Sequence, residues 1–329
     1  MLSCAGTFEG HDGWVYAAAQ ISPKHIATGG RDKILKIWNV EDFSNVASCE
    51  GHTDTITSCI KLANKDSVIS DDCMAILATG SWDSKVCVWK CSESGDALGV
   101  ECIAELEGHT SYVNCLVELN DSSVASGSHD CSIRVWKIEK DSFTCMFTIQ
   151  QAHSQYVHSL CVYPANGDLI SCSFDKTIKL WRKSNEGNEE TVFEAPPLEC
   201  VKTLRGHKGP VYSVYALKDG RIASAGHDHT IKVWNVDVAE AEDMSTCTLE
   251  GHSHYCWGVT QLPNSGNLAS ASFDKTVRIW ELEDNSGKCI SVLEGHEHYV
   301  NSVIPFAGED GSEGVISACW DKNVKLWKA

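Results

Sequence analysis

The stretch Ser270–Trp280 reads SASFDKTVRIW. A hydroxyl at Ser270 is followed four residues later by Asp274, and six residues after that by Trp280. Apolar alternation on either side of Asp-Lys-Thr predicts two short strands joined by a tight turn. A bulky ring, Phe273, stands just before the turn, where small polar residues are the rule because turns face water. The pattern recurs along the chain. Aspartates stand at 32, 83, 130, 175, 228, 274 and 321, and each is followed six residues on by a tryptophan, at 38, 89, 136, 181, 234, 280 and 327. Four residues before each aspartate lies Thr28, Thr79, Ser126, Ser171, Ser224, Ser270 or Ser317. Upstream, Gly-His pairs end at His11, His52, His109, His207, His252 and His296, with Ala152-His153 as the variant. Each histidine leads into an alternating apolar segment such as VYAAAQI or VYSVYAL. The repeat is a four-member code in seven copies, none incomplete.

This pattern resembles the WD40 repeat over essentially the whole chain. The resemblance implies an all-β fold, a single seven-bladed propeller of four-stranded antiparallel sheets around a central channel. It implies blades at 9–49, 50–107, 108–150, 151–205, 206–250, 251–294 and 295–329. The last repeat stops just after its third strand, at Trp327. Residues 1–8 share the register of Glu199–His207, so they are expected to supply the outer strand of blade 7 and close the ring, which removes an open edge. The resemblance also implies that the Trp, Ser/Thr, His and Asp of each blade form a buried hydrogen-bond chain. Donor and acceptor inventory agrees: the indole N–H needs an acceptor, and the hydroxyl accepts it while donating to the imidazole. Ser, His and Asp in register look like a hydrolase triad, but catalysis needs one exposed nucleophile, not seven repeated ones.

Composition narrows the function. Lys and Arg number 27 against 45 Asp and Glu, a formal net charge of −18. Such a surface repels phosphate backbones and anionic membranes and favours basic partners, so general nucleic-acid binding is not expected. The start, MLSCAGTFEGHDGW, has neither the basic segment nor the apolar core of a signal peptide, and no apolar run has the length of a bilayer span. Seventeen cysteines are scattered without a CxxC pair, which argues against zinc or a disulfide framework and for a reducing compartment, cytoplasmic or nuclear. Inserted segments at 64–75, 182–198, 239–244 and 308–314 read as solvated loops on the face opposite the His and Asp turns, with a docking epitope for a second partner as the alternative.

Three columns of residues fall on the other, top face. The residues before the turn aspartates are Arg31, Trp82, His129, Phe174, His227, Phe273 and Trp320. At the start of the innermost strands come Trp14, Thr55, Tyr112, Tyr156, Pro210, Tyr255 and Tyr299, and then Tyr16, Thr57, Asn114, His158, Tyr212, Trp257 and Asn301. Set aside the seven repeated tryptophans, and more than half of the remaining 20 Trp, Tyr and Phe residues crowd onto these positions. An aromatic patch of that kind marks an interaction site. The expected partner-binding residues are Trp14, Tyr16, Arg31, Trp82, Tyr112, Tyr156, Phe174, Tyr212, Tyr255, Trp257, Phe273, Tyr299 and Trp320. Their rings are expected to stand exposed, with no return in folding energy.

The sequence therefore reads as a non-enzymatic scaffold or adaptor, a monomeric propeller within a multiprotein complex. Its top face takes a peptide or protein with basic or apolar anchors. No catalytic residue, metal or cofactor is expected, and no membrane insertion. The competing reading is a phosphopeptide receptor such as a ubiquitin-ligase substrate receptor. That needs converging arginines, and Arg31 is the only one among these positions.

Overall fold

The structure, a computed structural model, describes residues 2–63, 73–94, 97–119, 123–139, 142–183, 198–236 and 245–328. The described residues form seven four-stranded antiparallel sheets. Six are built from consecutive strands, as in Val15–Gln20, His25–Gly30, Leu35–Asn39 and Asn45–Cys49 of blade 1. The seventh takes its inner three strands from Val300–Ala307, Glu313–Cys319 and Val324–Lys328, and its outer strand from Ser3–Phe8 at the other end of the chain. Ser3 pairs with Lys328 and Phe8 with Val324, so the ring closes as the register predicts. No helix among the described residues is long and apolar enough to cross a membrane.

Burial runs in a gradient across each blade, and composition follows it. Second strands such as Val124–Ser128, Leu169–Ser173 and Leu268–Ser272 are buried at every position. They lie between neighbouring blades on both faces, which is why they are made of Ala, Ser, Cys and Gly after one or two aliphatic residues. Outer strands alternate with solvent, as in Gly287–Leu293. The apolar core is divided into clusters that each bridge two blades: Trp38 and Ile26 of blade 1 pack with Phe306, Ile316 and Leu326 of blade 7. Segments 184–197 and 237–244, and most of the 64–75 insertion, lie outside the described residues.

All seventeen cysteines are free thiols; eight are buried and three, Cys4, Cys145 and Cys200, are exposed. The buried ones pack as small apolar groups, and burial pushes the Cys91 thiol up to about 12.

Closure rests on Phe8. It is fully buried, edge-on to Trp38 at 5.9 Å and to Phe43 at 5.0 Å, so the terminal strand plugs the boundary between the last blade and the first. Phe8→Ala should therefore lower unfolding free energy by about 3–5 kcal/mol, as for a core aromatic. Urea denaturation reads this directly; an unchanged midpoint would contradict closure by this strand.

Candidate functional site: the aromatic channel mouth

Each blade carries the four-membered chain. The Trp indole N–H donates to the Ser or Thr hydroxyl at 2.6 to 2.8 Å in all seven. The hydroxyl in turn donates to His Nε2 at 2.7 to 2.8 Å. His Nδ1–H then donates to the turn Asp Oδ2 at 2.6 to 2.9 Å. Every hydroxyl of the chain is fully buried. With its proton and lone pair committed, it has no path to a substrate. The Gly before the histidine follows from the same packing: a Cβ on Gly51 would meet the Trp89 ring at 2.6 Å.

The aspartate does further work. Its second oxygen accepts the backbone N–H two residues on, as Asp83 does from Lys85 at 3.0 Å, while Oδ2 also takes the N–H after the histidine, Thr53 at 2.9 Å. The residue after each aspartate has a left-handed backbone, with φ between 66° and 74° from Lys33 to Lys322. That is the three-residue hairpin in which a type I turn ends in a left-handed residue. Burial alone would raise these carboxyls, but the histidine and backbone donors outweigh it and hold Asp83 and Asp321 down to about 2.

With turn and loop clamped together, the top-face columns are placed. The backbone N–H of the residue before each aspartate donates to the carbonyl of the first column in the same blade, as Trp320 to Tyr299 at 3.0 Å and Trp82 to Thr55 at 2.9 Å. Its side chain then leans across the blade boundary onto the first-column ring of the next blade. Trp82 stacks on Tyr112 at 5.2 Å, His129 on Tyr156 at 4.0 Å, His227 on Tyr255 at 3.7 Å, Phe273 on Tyr299 at 4.3 Å and Trp320 on Trp14 at 4.2 Å. The two boundaries without such a stack have Thr55 and Pro210 in the partner position. There Arg31 sits over its own blade's Trp14 at 4.5 Å, and Phe174 turns inward to Tyr212 at 5.5 Å.

The second column has its own device. Ladder pairing skips one residue of every inner strand, at Tyr16, Thr57, Asn114, His158, Tyr212, Trp257 and Asn301. A β-bulge re-aims the side chain of the extra residue. All seven bulge residues line one cavity of about 420 Å³, with Trp14, Trp82, Phe174 and Trp320. Its walls are neutral: burial pushes Tyr16 up to about 12 and His158 down to about 4.

Of the thirteen expected residues, Trp14, Tyr16, Trp82, Phe174, Tyr212, Trp257 and Trp320 line the cavity. Arg31, Tyr112, Tyr156, Tyr255, Phe273 and Tyr299 are joined to that wall by the stacks at its rim. The expectation of uniformly exposed rings is corrected. Of these rings only Tyr112 and Tyr156 are exposed, at 40% each, whereas Phe273 is 8% and Tyr212 5% exposed. Phe273 is sandwiched between Trp257 at 4.7 Å and Tyr299 at 4.3 Å, nearly parallel to both. Its position before the turn is thus a packing position between blades. Sequence reasoning also passed over His254 and His298, which face Tyr299 and Trp320 in the same arc. Their signal is their place immediately before the first-column tyrosines.

The family model for the WD domain, G-beta repeat, matches seven segments: 2–39, 43–90, 100–137, 143–182, 198–235, 244–281 and 287–328. The chain belongs to the WD40-repeat family. It is similar to a ribosome biogenesis protein WDR12 homolog of Nematostella vectensis, 30% identical over 78% of this chain and 63% of that one. It is also similar to the nuclear distribution protein PAC1 of Arthroderma otae, 27% identical over 68% of this chain and 60% of that one. It thus spans less than two thirds of these relatives' length. Among solved structures, the WD40 β-propeller domain of Doa1 superposes with a TM-score of 0.76 at 25% identity, covering 99% of this chain and 96% of that one.

Three outcomes follow from this geometry. Phe273→Ala should cost about 3 kcal/mol or more, because it empties a sandwiched ring site; thermal and urea unfolding measure it, and an unchanged stability would contradict the stack. The turn aspartates make stability acid-labile. Their folded values lie below the unfolded ~3.9, so their contribution is complete above that pH and lost as pH falls through the folded values. The urea midpoint should fall between about pH 4 and pH 2, where Asp83 and Asp321 titrate at about 2. His207→Ala should cost about 1–3 kcal/mol at neutral pH and reduce that acid dependence by the share of its one partner, Asp228.

Proposed function

We propose that this chain is a non-enzymatic protein-interaction module, a scaffold or adaptor subunit of a multiprotein complex. It captures a peptide or protein partner at the channel mouth. The observation that carries this reading is the convergence of bulge residues and stacked rings on one cavity of about 420 Å³, with Tyr112 and Tyr156 exposed at its rim. Trp and Tyr are the residues whose burial against a partner contributes most to binding. The relatives named for ribosome biogenesis and nuclear distribution support a role in an assembly, in cytoplasm or nucleus. A net charge of −18 supports partners with basic flanks, steered from a distance. It counts against nucleic acid.

The phosphopeptide-receptor reading has less support. Among the described residues no lysine or arginine lines the cavity, and the rim's Arg31 guanidinium already lies over Trp14.

The test compares partner capture by the full chain and by variants at the rim. Tyr112→Ala and Tyr156→Ala should each weaken binding, with losses of about 2 kcal/mol, roughly thirtyfold, at a hot spot. Because both rings are partly in solvent, melting temperature should move little. Charge reversal of Glu309 and Asp310, on the opposite face, should leave capture intact. Loss of capture from that opposite-face variant alone, with both tyrosine variants binding normally, would move the binding surface away from the channel mouth.

A further inference from the structure

The rings around the channel mouth spend their faces on one another. Trp257 lies between Tyr212 at 4.2 Å and Phe273 at 4.7 Å, tilted by only 18° and 9° to them. Trp14 is parallel to Trp320 at 4.2 Å on one face, and the Arg31 guanidinium stands 4.5 Å over the other. Trp82 gives one face to Tyr112, and His129 gives one to Tyr156. Yet Trp14, Trp82, His129 and Trp257 all line the cavity and keep part of their surface in solvent. A ring covered on both faces, as Trp14 and Trp257 are, can offer an occupant only its edge. The edge carries the positive part of the ring quadrupole.

Such a wall selects its occupant. A guanidinium or ammonium would meet positive edges, and among the described residues no Asp or Glu lines the cavity to balance it. A carboxylate or phosphate would find no lysine or arginine among those residues either, in a chain of net charge −18. Burial pushes His158 down to about 4 and lowers His129 as well, so both lining imidazoles are neutral at pH 7. Polar side chains of the wall are turned to the backbone: Asn114 Nδ2 donates to the Val157 carbonyl at 2.8 Å, His158 Nδ1 to that of Tyr212 at 2.7 Å, and Thr57 to that of Val113. The Asn301 amide is closed off from solvent. What complements a positive edge and asks for no hydrogen bond is a neutral π face, in the edge-to-face arrangement that aromatic pairs prefer. An apolar cavity of about 150 Å³ already holds benzene, so one of about 420 Å³ takes a phenyl or indole with its stem.

We propose that the channel mouth receives an aromatic side chain of a partner peptide, phenylalanine or tryptophan, whose π face packs against the ring edges of the wall, that of Trp257 first. This proposal rests on the reading that the mouth captures a peptide, and it names the anchor.

The test is a titration of the ¹⁵N-labelled full chain, reading the backbone amides of Thr57, Asn114 and Gly258, which all belong to cavity-lining residues. The probes are N-acetylphenylalanine N-methylamide, its cyclohexylalanine analogue, its arginine analogue and adenosine. The cyclohexyl probe keeps the shape and apolar area of the phenyl probe without the π face. The phenyl probe should shift these amides saturably and bind about fivefold tighter than the cyclohexyl probe, the size of one or two edge-to-face contacts. In Trp257→Leu that preference should vanish while cyclohexyl binding is kept; if the variant does not fold, the wild-type comparison decides alone. Equal or tighter binding of the cyclohexyl probe to the wild type would make the mouth a merely apolar pocket and overturn the proposal. Saturation by the arginine probe or by adenosine in preference to the phenyl probe would overturn it as well. If no probe moves the amides, the aromatic anchor is wrong. Peptide capture at the mouth then stands or falls separately, on the Tyr112 and Tyr156 variants.

Discussion

The hydrogen-bonded run from tryptophan through hydroxyl and histidine to aspartate holds together three strands and two loops of every blade. The tryptophan lies on the third strand, the hydroxyl on the second, the histidine before the innermost and the aspartate in the turn between second and third. Because every member is buried or nearly so, breaking one leaves its neighbours unpaired in a medium where that is costly. The aspartate then reaches past the histidine to the next backbone N–H, tying the loop to the turn, as at Asp83 and Thr53. This clamp acts together with the backbone bond from the residue before the turn to the start of the innermost strand, as from Trp82 to Thr55, and the two fix their separation. The channel mouth is therefore a consequence of the same interaction that stabilises the blades.

Rings at the top face serve two ends at once. Trp320 on Trp14 and Phe273 on Tyr299 join one blade to the next, and do so where the apolar core beneath has ended. Aromatic pairs add about 0.5–1.5 kcal/mol each beyond burial of area, so the arc contributes to ring rigidity. On the proposed reading, a partner would meet a wall whose rings are already held by each other, and little side-chain entropy would be lost on binding. The exposed Tyr112 and Tyr156 close the same arc from outside, each stacked on an inner ring of the preceding blade.

Fold and clamp are legible in the sequence because they depend on spacing that repeats seven times. Asp274 to Trp280 is six residues in every copy, and a hairpin of constant length leaves no choice of register. Closure is legible too, since the segment before His11 shares its register with the one before His207. The state of the rings is not legible. Phe273 stands before a turn, and nothing in SASFDKTVRIW tells that the next blade brings Tyr299 against one face of it while Trp257 covers the other. Burial there is decided by the closeness of adjacent blades, a long-range property. The bulges leave only a faint trace: the buried aliphatic pair of an inner strand stands three residues apart, as Val211 and Val214 do, a departure from alternation that a six-residue strand is too short to make plain.

The central claim is that the clamped turns of one face, and not the connections of the other, form the recognition surface. Hydrogen–deuterium exchange of the chain alone and with its captured partner measures this over the whole backbone in one experiment. The account predicts slowed exchange in the top-face segments 82–85, 110–114, 129–132 and 154–158 on binding. Rates at the opposite turns 217–220, 262–266 and 308–312 should be unchanged. Protection confined to those opposite turns, with the top-face segments unaffected, would contradict it.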